Sequence, residues 1–170
     1  RDLLNRMLRL SEAGLTAMSP DIISFNTVLL AFANSKDPKA WVKAISVLTL
    51  LKKLSLTGKL RISPDLVTYT TLFQSLKINP NKESLALAEN ILNEMEEIGK
   101  NKIDIIPDNR CFTMVIGAYA KSSETRKAWK AKQMLDRMKA NGVKVDLYTY
   151  TAALSACRNF TSNDLQPCQV

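Results

Sequence analysis

The chain has 170 residues, 46% of them apolar, with only 5 Gly and 6 Pro, a composition that supports a buried core and excludes collagen-like and disordered classes. No apolar run approaches the ~18 residues of a bilayer span, and a net charge of +8 points to a polyanionic partner. Histidine is absent, which removes the commonest general base, the His-dependent triads and the His zinc sites, so an enzyme is not expected and no cofactor or metal is called for.

Taken in chain order, DLLNRML has helical spacing and predicts a helix over Asp2–Ala13. Because Arg1 already falls inside that pattern, the chain reads as a piece of a longer protein. SPDIISFNTVL, from Ser19, opens a second helix with Phe25, Val28, Leu29 and Phe32 on one face. Asp37-Pro38 breaks it, and a third helix runs to Leu56-Thr57-Gly58. SPDLVTYTTL, from Ser63, repeats the opening with Tyr69, Leu72, Phe73 and Leu76, breaks at Asn79-Pro80, and is followed by a helix to Ile98-Gly99. IPDNRCFTMVI, from Ile106, does so again with Phe112, Val115, Ile116 and Tyr119, a break at Ser122-Ser123 and a helix to Asn141-Gly142. VDLYTYTAAL, from Val145, opens a last helix with Tyr150, Ala153, Leu154 and Cys157. Each opening Asp suits an N-cap, and each Gly suits a left-handed helix stop.

Asp21, Asp65, Asp108 and Asp146 are spaced by 44, 43 and 38, which hides a repeat. A second set of segments uncovers it: LLNRM at Leu3, VLTLL at Val47, ILNEM at Ile91 and MLDRM at Met134. From Asp21 to Leu51, Asp65 to Met95 and Asp108 to Met138 the distance is always 30, and only the connectors vary. Ala44, Ala88 and Ala131 recur seven positions before these anchors, where two helix backbones can approach closely. A lone helical hairpin cannot bury its apolar face, so successive hairpins must stack. The expected fold is all-α, an α-solenoid of about seven or eight helices. Its parts are a half repeat over 1–21, repeats over 22–65, 66–108 and 109–146, an opening helix over 147–159 and an irregular tail over 160–170.

Paired helices closed by Pro-Asp, followed by an aliphatic-Thr-Tyr-Thr-Thr-Leu start, resemble the pentatricopeptide repeat (PPR) family over residues 1–159. The resemblance implies a right-handed superhelix that binds single-stranded RNA, one base per repeat, in processing, stability or translation of transcripts in a mitochondrion or plastid. It pairs Asn26 with Asp65, Thr70 with Asp108 and Thr113 with Asp146 as base readers, leaves Thr151 without a closing partner, and reads U, G and G. Ile23, Val67, Arg110 and Tyr148 would flank the bases, and Lys121 would touch a phosphate. Arg110 stands where the family has an aliphatic, Val145 replaces Pro, Asn34, Ile78 and Asn159 do not repeat Lys121, and the connectors are longer than usual. The implied partners are single-stranded RNA and other RNA-processing proteins, with no membrane and no small-molecule substrate. The alternatives are a protein-interaction scaffold or a spacer arm of a larger protein.

Plainer roles compete at the same residues. The four Asp are caps whatever else they do, and Phe25, Tyr69, Phe112, Tyr150, Trp41 and Trp129 are expected in the core. Residues 121–144 hold eight Lys and Arg against Glu124 and Asp136, and apart from Lys121 they are expected on a solvated outer face, as are Glu94, Glu96 and Glu97. Cys111, Cys157 and Cys168 share no metal-ligand spacing and are expected reduced. Asn159-Phe160-Thr161 fits a glycosylation sequon but carries no weight without a secretory leader.

Overall fold

A computed structural model describes residues 2–35, 37–78 and 80–158. Among them are eight α-helices, two single-turn 3-10 helices and no strand, consistent with a helical-repeat solenoid. They fall into two compact units, Arg1–Ser75 and Leu76–Val170.

The first unit holds α1 (Asp2–Glu12), α2 (Ile22–Ala33), α3 (Ala40–Leu56) and nearly all of α4 (Leu66–Leu76). Its core is the predicted helical stripe: Phe25 and Leu29 of α2, Ala44, Leu48 and Leu51 of α3, and Tyr69, Leu72 and Phe73 of α4 are buried. Ala44 is fully buried, as its close-packing role requires. Gly58, just after α3, has φ +66, the left-handed stop expected there.

In the second unit α5 (Lys82–Gly99), α6 (Asn109–Lys121), α7 (Lys127–Ala140) and α8 (Leu147–Cys157) follow one another. The α6 helix packs on α5, α7 and α8, and buries Phe112, Val115 and Ile116. Ala88 and Ala131 are buried at the small-residue positions. A capping box that the sequence reading missed starts α5, with Asn81 Oδ1 accepting from Ser84 N at 2.7 Å and Ser84 Oγ accepting from Asn81 N at 2.9 Å.

Several expectations need correction. Gly99 is the last residue of α5 and keeps a helical backbone; the next residue, Lys100, is also right-handed. Its small size serves contact instead, because a Cβ there would lie 2.9 Å from Ile106 Cγ1 and 3.3 Å from Ile106 Cα. The connector after it is therefore packed, with a 3-10 turn at Ile103–Ile105 that buries Ile105. Tyr150 and Trp129 are 44% and 38% exposed, not core, and Leu154 is 70% exposed. Only Ala153 and Ala156 of the apolar α8 positions are buried, so Tyr150, Leu154 and Cys157 line an open apolar groove with Ala131 and Leu135 of α7.

The basic α7 is also less solvated than expected. Arg137 donates to Glu96 through Nε at 2.8 Å and Nη2 at 2.7 Å, and to Asn93 Oδ1 at 2.6 Å. Lys130 Nζ reaches Glu89 at 2.9 Å, and the Tyr119 hydroxyl donates to the same carboxylate. Glu96 is thus a strut between α5 and α7 rather than loose surface charge, and its fork-to-fork geometry is the strong form of an ion pair. The sequon, Cys168, the tail over 160–170 and Asn79 lie outside the described residues.

Candidate nucleic-acid interface

Each opening helix starts on a capped turn. Asp21 accepts from Ser24 N at 2.8 Å, Asp65 from Thr68 N at 2.7 Å, Asp108 from Cys111 N at 3.0 Å and Asp146 from Thr149 N at 2.7 Å. The four carboxylates satisfy amides that a first helical turn leaves without partners. The capping role is therefore met at all four Asp residues.

In the first unit the cap does something more. Asn26, half-buried on α2, donates from Nδ2 to Asp65 Oδ1 at 3.2 Å. The Thr68 hydroxyl lies 2.7 Å from Asn26 Oδ1 and 2.7 Å from Asp65 Oδ1. Asn26 and Asp65 are thus brought together across 39 residues of sequence, with Thr68 between them. Two aliphatics of the same opening helices are exposed, Ile23 of α2 at 69% and Val67 of α4 at 55%. Thr70 is half-buried, and its hydroxyl donates to the carbonyls of Leu66 and Val67 at 2.9 and 3.1 Å. Its sequence partner Asp108 belongs to the second unit.

The second unit arranges the same positions differently. Thr113 and Asp146 share no direct hydrogen bond; Thr149 stands between them, its hydroxyl 2.7 Å from Thr113 Oγ1 and 2.7 Å from Asp146 Oδ1. Thr113 is buried, at 3% exposure, and its hydroxyl also donates to Asn109 Oδ1 at 3.0 Å. Arg110, Tyr148 and Thr151 are exposed, and the Thr151 hydroxyl donates to the Leu147 carbonyl at 2.8 Å. Lys121 closes α6 and is exposed.

Sequence reasoning missed Thr68, Thr149 and Asn109. A signal existed for the first two: Ser24, Thr68 and Thr149 each put a hydroxyl three residues after a capping Asp, and only Cys111 breaks the series. Burial pushes the Cys111 thiol far up from its ordinary value, so it is an inert core thiol.

The caps make a pH prediction. The Asp21 carboxyl is held below its ordinary 3.8 first by the Ser24 hydroxyl and then by the Ser24 amide, and Asp146 likewise by the Thr149 hydroxyl, the Thr149 amide and, more weakly, Asn109. A folded-state pKa below the unfolded one adds stability that is present above 3.8 and lost as pH falls through the folded value. The double variant Asp21→Asn, Asp146→Asn keeps a capping oxygen without a titrating group. Its melting temperature is expected to fall less steeply than that of the unaltered chain below about pH 4; calorimetry at stepped pH reads the two slopes.

Among the described residues no group of His, Cys, Asp or Glu is placed to hold a metal ion, and no helix is long and apolar enough to cross a membrane. Residues 107–159, which take in α6, α7 and α8, match the model of the PPR repeat family. No curated protein matches the chain at a significant level.

Proposed function

We propose, from the match of residues 107–159 to the PPR repeat family and the RNA binding it points to, that the chain binds single-stranded RNA with a sequence preference, taking one base per repeat on its opening helices. The observation that carries this reading is the Asn26–Asp65–Thr68 cluster on opening helices that also expose Ile23 and Val67. An amide and a hydroxyl can each donate to and accept from a base edge, whereas a carboxylate only accepts and serves to hold them. A hydroxyl has one hydrogen, and the charge-assisted bond to Asp65 is the stronger of Thr68's two options. Asn26 Oδ1 is then left to accept from a base N–H while the aliphatics cover the base faces. Uracil, with one ring N–H between two carbonyls, suits such an amide.

By residue type alone the same register gives G to Thr70 and G to Thr113 with Asp146, with Arg110 and Tyr148 against the bases and Lys121 at the backbone. PPR repeats are binding modules, and nothing in this register asks for a catalytic group. The setting we propose is transcript processing, stability or translation in a mitochondrion or plastid, alongside other RNA-processing proteins.

Fluorescence anisotropy with single-stranded RNAs containing or lacking UGG, at two salt concentrations, tests the reading. Binding is expected to weaken with salt because releasing phosphate counterions gains less at higher salt, and Thr70→Asn is expected to move the middle-base preference from G toward U. Equal affinity for every RNA would remove the base code. No affinity for any RNA would favour a protein-binding scaffold.

A further inference from the structure

We infer that Asn109 is a positioning residue that withdraws Thr113 from base reading and so silences the third register; this rests on the RNA-binding reading above. Three threonines occupy the reading position on α4, α6 and α8, and what differs is the residue one turn earlier on the same helix face. It is Leu66 before Thr70, Leu147 before Thr151, and Asn109 before Thr113. A leucine side chain offers a hydroxyl nothing, so Thr70 and Thr151 turn to their own helix backbone, at 2.9 Å from the Leu66 carbonyl and 2.8 Å from the Leu147 carbonyl. Thr70 remains half-buried and Thr151 exposed.

An asparagine at that place offers a carbonyl oxygen. Asn109 Oδ1 lies 3.0 Å from Thr113 Oγ1 and 3.3 Å from Thr149 Oγ1, while its Nδ2 donates to the Lys144 carbonyl at 3.1 Å. Both ends of the amide are therefore tied down, and the side chain joins α6, α8 and the turn before Asp146 in one closed network. The two threonine hydroxyls at 2.7 Å complete it, and Thr113 is buried at 3% exposure. A hydroxyl whose one hydrogen goes to a protein acceptor has no donor to offer a base, burial keeps its remaining lone pair from one, and taking it out would leave its partners unsatisfied. The Thr-Asp combination that reads G on paper is present at this register, but its reading group faces inward.

The experiment compares the unaltered chain with Asn109→Leu, the residue found at the matching place on α4 and α8, and with Asn109→Ala, which removes the amide without adding bulk. Each is titrated with four RNAs that keep the first two bases, UG, and vary the third. The unaltered chain is expected to hold all four within about 2-fold of one another. Either variant is expected to gain about a 5-fold preference for G, the worth of one hydrogen bond. Circular dichroism and a melting curve establish that each variant is folded, and carboxyl NMR titration is expected to show the Asp146 pKa rising in both, because Asn109 is one of the groups that lower it.

A threefold or greater preference for G in the unaltered chain would overturn the inference while leaving RNA binding intact. So would folded variants that remain indifferent to the third base. Loss of first-base discrimination or absence of binding to any RNA would instead bring down the reading on which it rests, and the inference with it.

Discussion

Replacing Phe112 with alanine is expected to cost about 3–5 kcal/mol and to be the most damaging single change on the opening helices. Phe112 has no exposed surface and sits on α6, the helix against which α5, α7 and α8 of its unit pack. Truncation removes the transfer free energy of the ring and leaves a cavity that three surrounding helices can only partly close. The matching residue on α8, Tyr150, is 44% exposed, and Tyr150→Ala is expected to cost less than about 1 kcal/mol. Urea denaturation of the two variants measures the difference as a shift in midpoint at constant slope. The comparison also decides what the recurring aromatics are for. Were they a stacking row for bases, Phe112→Ala would weaken RNA binding with little loss of stability; as core, it does the reverse.

That contrast explains how much of the fold was legible. Helix starts were readable because Asp caps at 21, 65, 108 and 146 precede apolar residues at helical spacing, and all four helices begin at the next residue. The constant distance of 30 from each Asp to the anchor in the next helix was readable because a hairpin fixes it rigidly. Burial at α8 was not readable from periodicity. Tyr150, Leu154 and Cys157 have the same pattern as their counterparts on α6, but burial depends on which helices lie alongside, and periodicity says only which residues share a face. Gly99 misled for a related reason: glycine serves both a left-handed turn and a close approach, and only the neighbouring Ile106 distinguishes them.

The candidate site was legible in outline and not in its wiring. Asn26 and Asp65, paired on sequence as base readers, share a hydrogen bond. Thr113 and Asp146 occupy the same register, yet Thr149 and Asn109 stand between them and the solvent-facing arrangement seen in the first unit. Two residues differ between the registers: the reading residue is Asn26 in one and the shorter Thr113 in the other, and Asn109 starts α6 in a place where α2, α4 and α8 carry Ile22, Leu66 and Leu147. A hydroxyl has few alternatives and takes the nearest acceptor, so its direction is set by side chains outside the pair that a register identifies.

Capping and base reading can be separated at the two Asp residues of the first unit. Asp21 accepts from the Ser24 amide and hydroxyl at 2.8 and 2.7 Å, both within its own turn, so Asp21→Ala is expected to lower the melting temperature through the lost cap and to leave base preference where it was. Asp65 caps α4 through the Thr68 amide and also holds Asn26. Asp65→Ala is expected to cost a similar amount as a cap and about 1 kcal/mol more for the lost charge-assisted bond, because the Asn26 amide then has no fixed acceptor. With Asp65 gone the Thr68 hydroxyl donates to Asn26 Oδ1 instead and occupies the acceptor left for uracil, and a preference for U is expected to fall about 10-fold. Anisotropy titrations with the first base varied read the preference, and thermal melts read the cap. An Asp65→Ala chain that still discriminates as the unaltered one does would reduce Asp65 to a helix cap.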